Sequence, residues 1–410
     1  MRFRVGINYW PRRSAMAMWQ RFDIGEIDED FARIAALGLD TVRFFLRWAD
    51  FQPEPRRMDS VMLGKLERVM ESLADHGLQA MPTLFSGHMS GVNWLPSWTL
   101  DRSESSGRFR TIVEGNRESP LGIADFYTGA LLEAQVHHVR EVGAALHGHP
   151  AIVAWDLGNE FSNLREPTNV SDGAEWSKRL TFELEAASER PVTGGIHGED
   201  LTRDRAIRAS SMCEPWTFAT MHGYSVYSDF ARSRADARVV PFLAQLTGSF
   251  SRKLVLFSEF GNPTCPPNRR SPYDRVPLPD EPPAPIIAPD DPVYATYACL
   301  SEDEMATYAT SVLAALQREG RLGAYWWCWA DYAAELSAEP PFDRAPHEMS
   351  FGIVRQDGSL KPVAAALAAF VREGLATLEP HDPPMFEPAY YADLPHTTAN
   401  AYARYLEYNA

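Results

Sequence analysis

Eight short runs with the character of buried strands recur along this chain, each separated from the next by an amphipathic helical pattern, and few folds accommodate that alternation. The runs fall at 4–10, 41–48, 79–85, 152–159, 191–197, 218–225, 253–261 and 323–332. Between them, Phe31, Ile34, Ala35 and Leu37 mark one helical face that stops at Gly38, and Met62, Leu66, Val69, Met70 and Leu73 mark another that stops at Gly77. Similar patterns cover 131–146, 176–187 and 305–316. Strands alternating with helices give a parallel sheet covered by helices, either left open or closed into a barrel. An open dinucleotide-binding sheet needs a glycine-rich phosphate turn after its first strand, and Gly6-Ile7-Asn8-Tyr9-Trp10-Pro11-Arg12 provides none. The expected fold is therefore α/β, a (β/α)8 TIM barrel. Its weakest part is the fifth run and the helix after it, near 201–209.

Two connections stand out by length. Residues 86–124 follow the third run and carry His88, Asn93, Trp94 and Trp98; residues 262–300 follow the seventh and are crowded with proline and acids. Both lead from a strand end to the next helix, so both belong over the catalytic mouth of such a barrel. Residues 1–378 are expected to form the barrel, and 379–410, rich in Pro and Tyr, a tail packed on its outside. The 11 Trp, 15 Tyr and 21 Phe mostly serve a large core, with some to spare for the apolar faces of sugar rings. A formal net charge of −16 argues against nucleic acid or an anionic membrane as partner. No run approaches the roughly 20 apolar residues of a membrane span. No charged leader and apolar stretch precede the first strand, which makes a cytoplasmic location the expectation. Cys213, Cys265, Cys299 and Cys328 show neither CxxC spacing nor a histidine pattern for zinc; a Cys265–Cys299 bridge is open to them, but free thiols are the expected state.

The chemistry is concentrated at two strand ends. Ile152-Val153-Ala154-Trp155-Asp156-Leu157-Gly158-Asn159-Glu160 is an apolar run that closes on an amide and an acid, and Lys253-Leu254-Val255-Leu256-Phe257-Ser258-Glu259-Phe260-Gly261 repeats the design. A carboxylate at the end of a buried strand is best explained by the open C-terminal lip of the barrel, where such folds build their sites. Two acids at separate lips suit glycoside cleavage, in which a retaining enzyme holds its carboxyl groups about 5–5.5 Å apart, one protonated and one ionised. Glu166, Glu199, Glu214 and Asp331 also lie near strand ends; of these only Asp331 follows an apolar run.

In order along the chain, Arg43 after Thr41-Val42, Asn159-Glu160, His222-Gly223-Tyr224, Glu259 in Ser-Glu-Phe-Gly, and Trp326-Trp327-Cys328-Trp329 resemble the strand ends of glycoside hydrolase family five, and the likeness spans nearly the whole barrel. The resemblance implies that Glu160 is the general acid/base and Glu259 the nucleophile. Arg43 and Tyr224 are then the groups to keep Glu259 ionised, while a charged Glu259 favours a proton on Glu160. Asn159 is expected on the sugar 2-hydroxyl, and His222, two residues from Tyr224 on the same strand face, beside the acid/base or the substrate. Trp327 and Trp329 share a face; Trp327 is favoured as the floor under the reacting sugar. His88 is expected to touch substrate, and Trp94 and Trp98 to wall a subsite.

These residues read as a retaining β-glycosidase acting on short oligosaccharides, with no cofactor and no metal. The loop from Gly87 to Trp94 and the opening strand look most like the exo-acting β-mannosidase and β-glucosidase branch, and β-mannosidase is favoured. An endo-β-1,4-mannanase or glucanase with an open groove is the alternative, followed by transglycosylation and by a non-catalytic carbohydrate-binding barrel, which would have no need of both acids. A homo-oligomer is compatible with a closed exo pocket.

Overall fold

A computed structural model describes residues 3–265, 299–374, 376, 379–380 and 382–408. Eight parallel strands form one sheet: β1 (Arg4–Tyr9), β2 (Thr41–Phe45), β3 (Gln79–Thr83), β4 (Trp155–Asn159), β5 (Val192–Gly195), β6 (Ala219–His222), β7 (Val255–Phe260) and β8 (Gly323–Trp326). β1 pairs with both β2 and β8, and the ring closes between β5 and β6 through the parallel bridge His197–His222. This is the (β/α)8 barrel expected from the alternation. All eight runs contain a strand, each ending at or before the predicted boundary.

The helices begin and stop for local reasons. Asp23 caps Ile24–Ala36 by accepting from the amides of Gly25 and Glu26, and Asp59 does the same for Ser60–Asp75. Ser301 and Glu304 form a reciprocal capping box at Glu302–Arg318. The weak fifth unit is real: only the short helices Gly198–Thr202 and Ala209–Met212 follow β5. β5 also lies unusually close to β4, since a Cβ on Gly195 would stand 2.2 Å from the carbonyl oxygen of Gly158. That closeness is used, because the Glu160 amide donates to Gly195 O and fixes the end of β4.

The connection after β3 is not an open loop. It folds into a four-stranded sheet from His88–Met89, Val92–Trp94, Arg110–Val113 and Arg117–Ser119, beside a two-stranded one from Leu100–Ser105 and Leu121–Ile123. Of the connection after β7, residues 266–298 lie outside the described residues. Its two ends are joined by a Cys265–Cys299 disulfide, which corrects the expectation of free thiols there; Cys213 and Cys328 are free and buried. The spacing alone gave no reason to prefer the bridge, which depends on the Thr264–Leu300 pairing bringing the loop's ends together. In the tail, Tyr391 donates to Asp200 O and Tyr402 to Asp236, so it packs on the barrel exterior.

His138 on the helix Gly129–Ala145 shows what burial does away from the mouth. Its ring is fully enclosed, 4.9 Å from that of Phe85, and burial pushes its pKa down to about 3. The folded state refuses a proton that the unfolded chain accepts near pH 6.5, so this residue costs stability as pH falls from there toward 3. Substituting His138→Leu should flatten the fall of Tm between pH 6.5 and 4, as read by differential scanning calorimetry. An unchanged slope would contradict the assignment.

Candidate active site

Met81, Leu256 and Tyr325 plug the barrel interior. In register with Met81, the inward positions on β2 and β1 are polar, Arg43 and Asn8. Arg43 on β2 is fully buried there and uses all five of its N–H donors. Nε and Nη2 donate to Asp156 Oδ2 at 2.8 and 2.6 Å, Nη2 also to Asn159 Oδ1 at 2.9 Å, and Nη1 to Asn8 Oδ1 at 3.0 Å and to Glu259 Oε1. Asp156 is further held by Thr83 Oγ1 at 3.0 Å. The sequence paired Arg43 with Glu259 correctly but gave no role to Asp156 or Asn8. Asp156 is hidden in the middle of a strand that otherwise reads as apolar, and its signal is the parity that puts it on the barrel's inner face.

Glu259 ends β7 with its side chain 4% exposed and accepts from two donors, Arg43 and the Tyr224 hydroxyl at 2.7 Å. Burial first, and then the charge of Glu259, raise the Tyr224 pKa well above its ordinary value, so the phenol stays a donor. Glu160 follows β4 in a left-handed backbone conformation (φ 47°, ψ 46°), uncommon for a side chain of this kind and often found at functional positions. Its carboxyl group is more open, 15% exposed, and Asn163 Nδ2 donates to its Oε2 at 3.0 Å. Oxygens of the two acids and His222 Nδ1 lie within 4.8 Å of one another, Nδ1 standing 3.3 Å from Glu160 Oε1 and 3.7 Å from Glu259 Oε1.

Two histidines around the pair are held neutral. Burial, only partly offset by Glu259, pushes His222 down to about 4, and burial opposed by Glu160 does the same to His88. Asn93 turns its Nδ2 to the carbonyl of Asn163, so its Oδ1 faces His88 Nδ1 at 2.7 Å and the His88 proton sits there. His88 Nε2 therefore turns a lone pair toward Glu160 Oε2, 3.9 Å away. The Asn159 amide donates to the His88 carbonyl at 3.0 Å and accepts from Arg43, which leaves one N–H for a ligand.

The structure separates the tryptophans that the sequence grouped. β8 ends at Trp326, so Trp327 and Trp329 do not share a strand face. Trp327 stands edge-on to Phe45, whose ring lies 4.7 Å from the Arg43 guanidinium, and so borders the site. Trp329 is on the outside of the barrel under Arg33 of the first helix. Trp94 is buried against Arg47, and Trp98 packs on Trp48, so both pack the connection against the segment after β2. Three neighbours of Glu160 escaped the sequence reading: Asn163, His197, with Nδ1 3.9 Å from Oε2, and Phe109, whose ring lies 4.4 Å from His88. None sits on an apolar strand, and Phe109 reaches the mouth only through the folding of the long connection.

Glu160, His222 and Glu259 are close enough for three ligands of one metal ion. The fit is poor, because the Arg43 guanidinium already donates to the Glu259 oxygen and supplies the cation there. What the site offers instead is one carboxylate held by donors and one carboxyl group beside a neutral base.

Fold and site together define a (β/α)8 barrel with paired carboxyl groups at the C-terminal mouth. No family model matches the chain, and no curated protein sequence matches it. Solved structures do. The GH5_18 protein of Streptomyces cattleya in complex with GlcNAc is similar at a TM-score of 0.72 and 22% identity, over 93% of this chain and 82% of that one. A variant of that protein in complex with Manb1-4GlcNAc gives 0.76 and 20%, over 99% and 91%. The exo-beta-1,4-mannosidase Op5Man5 from Opitutaceae bacterium strain TAV5 gives 0.69 and 24%, over 91% of this chain and 60% of that one. At these identities the likeness establishes a shared fold.

Removing Arg43 leaves Asp156 buried without its partner. Arg43→Met is therefore expected to lower unfolding free energy by on the order of 3–5 kcal/mol in guanidinium titrations, and adding Asp156→Leu should recover part of it. A loss no larger than that of an exposed ion pair would contradict the hub.

Proposed function

We propose that this chain is a retaining glycoside hydrolase of family five, releasing single β-linked sugars, mannose in the first instance, from short oligosaccharides. The observation that carries the reading is the acid pair, with oxygens within 4.8 Å and opposite surroundings. The separation suits direct attack rather than the wider gap of about 6.5–9.5 Å that admits a water. Glu259, held by Arg43 and Tyr224, attacks the anomeric carbon. Glu160 gives its proton to the departing oxygen as the glycosidic bond breaks, and a glycosyl ester forms on Glu259. Glu160 then takes a proton from a water that attacks the same carbon and releases the sugar and the free Glu259 carboxylate. Trp327 borders the reacting sugar, and the remaining Asn159 N–H is available to its 2-hydroxyl.

The walls support exo action. The folded connection after β3 is tied to the loop after β8 by Arg110–Asp343 (2.9 Å for Nη1), by Arg344–Glu118 (2.9 Å) and by Ser90 Oγ on buried Glu348 (3.0 Å). Tyr227, from the loop after β6, donates to the same Glu348 at 2.9 Å. Loops from three strands thus meet over one side of the mouth, which blocks a cleft at that end. The mannosidase choice is supported by the solved neighbours named above, one an exo-beta-1,4-mannosidase and one in complex with Manb1-4GlcNAc. The Cys265–Cys299 bridge favours an oxidising compartment over the cytoplasm. No helix among the described residues is long and apolar enough to cross a membrane.

A panel of nitrophenyl glycosides, β-mannosyl-1,4-GlcNAc and polymeric mannan decides the substrate. Turnover of the β-mannoside and the disaccharide, with little attack on polymer, is the expected result; brisk hydrolysis of polymer with none of the monosaccharide glycosides would favour the endo alternative. Glu160→Ala should lower the rate on the disaccharide by about a hundredfold to ten-thousandfold, the usual share of acid–base catalysis. Glu259→Ala should abolish turnover and be rescued by azide.

A further inference from the structure

Behind Glu160 lies a second buried guanidinium. Arg205, in the segment after the helix Gly198–Thr202, is 8% exposed, although no strand carries it to the mouth. Its Nη1 stands 2.8 Å from Asn163 Oδ1, 3.0 Å from His197 Nε2 and 3.2 Å from Glu199 Oε2; Nη2 donates to Ser162 O at 2.9 Å and Nε to Glu166 Oε1 at 2.9 Å. The two groups it touches on the barrel side, Asn163 and His197, both face Glu160 Oε2, at 3.0 and 3.9 Å, as His88 does at 3.9 Å.

A guanidinium can only donate, and that settles the orientation of Asn163. Asn163 must turn its carbonyl oxygen to Arg205, which leaves its NH2 for Glu160. His197 Nε2 lies against Arg205, and its Nδ1 is the nitrogen on the Glu160 side. Ser162 Oγ, also 3.0 Å from Nε2, gives its own proton to Asp200 at 2.6 Å. Without Arg205 the Asn163 amide loses the donor that holds its oxygen, and its reversed form would set an oxygen against the carboxyl oxygen it now supports. Glu199 holds Arg205 from the solvent side and is itself bound by Arg108 at 2.7 Å, from the connection after β3.

We propose that Arg205 is a positioning residue for proton transfer: through Asn163 and His197 it holds Glu160 in the rotamer and hydrogen-bonding pattern in which Oε2 accepts. This rests on Glu160 being the general acid/base. Arg205 touches neither substrate nor reacting atoms, so its loss weakens the acid without removing it.

Leaving-group dependence separates this role from a merely structural one. Departure of 2,4-dinitrophenolate needs no proton, whereas departure of phenolate does. With Arg205→Met, kcat/KM on phenyl β-mannoside should fall by about ten- to a hundredfold, a fraction of the full acid contribution, while that on 2,4-dinitrophenyl β-mannoside should change by less than about threefold. Asn163→Leu, which leaves Arg205 and its ion pairs in place, should give the same split, and the double variant should be no worse than the more affected single one. Glu160→Ala, assayed alongside, should show the split in larger form. Equal losses on both substrates for Arg205→Met and Asn163→Leu, or no loss on either, with the split intact in Glu160→Ala, would overturn the proposal alone. If Glu160→Ala itself showed no split, the acid assignment would fall and the proposal with it.

Discussion

A single guanidinium organises the mouth of this barrel. Arg43 brings a full positive charge into the interior, where it is tolerable only if every donor finds an acceptor, and the acceptors come from β1, β4 and β7. Asp156 takes two of the five bonds and balances the charge. Glu259 receives one bond from Arg43 and one from Tyr224. The same hub fixes Asn159, the residue before Glu160. The positions of the two acids are thus tied through one side chain.

Around that hub the two acids differ in what surrounds them. Glu259 is enclosed by donors, which suits the nucleophile proposed above. Glu160 is more exposed and is flanked by His88, His197 and Asn163, which suits a group that must gain and lose a proton. Its left-handed backbone and the close approach of Gly195 turn it out of the strand toward the mouth. Backbone geometry, not sequence adjacency, places its carboxyl group opposite one from three strands away around the ring.

Much of this was legible in the sequence, because periodicity and strand-end chemistry report on the barrel itself. The alternating pattern located all eight strands, strand-end chemistry marked Glu160 and Glu259, and the family resemblance added Arg43, His222 and Tyr224; the fold does gather these five. What escaped notice depends on contacts between elements. Asp156 was masked by apolar neighbours in its own strand. Asn163 and Arg205 follow strand ends in short loops whose shape no pattern announces, and His197 closes the fifth run, two residues beyond the end of β5. Trp329 was grouped with Trp327 on the assumption that β8 runs on, whereas it ends at Trp326. Trp94 and Trp98 suggested a binding wall because the long connection leads to the mouth; they instead pack it against Arg47 and Trp48 of the segment after β2.

The whole account turns on which atom becomes bonded to sugar. Incubating the protein with an activated 2-deoxy-2-fluoro-β-mannoside, then digesting it and mapping the peptides by mass spectrometry, addresses that directly, since the fluorine slows release of the ester. The account predicts stoichiometric labelling of Glu259, with product of retained anomeric configuration appearing in NMR of the natural reaction. Inverted product, or a label on any other residue, would contradict it.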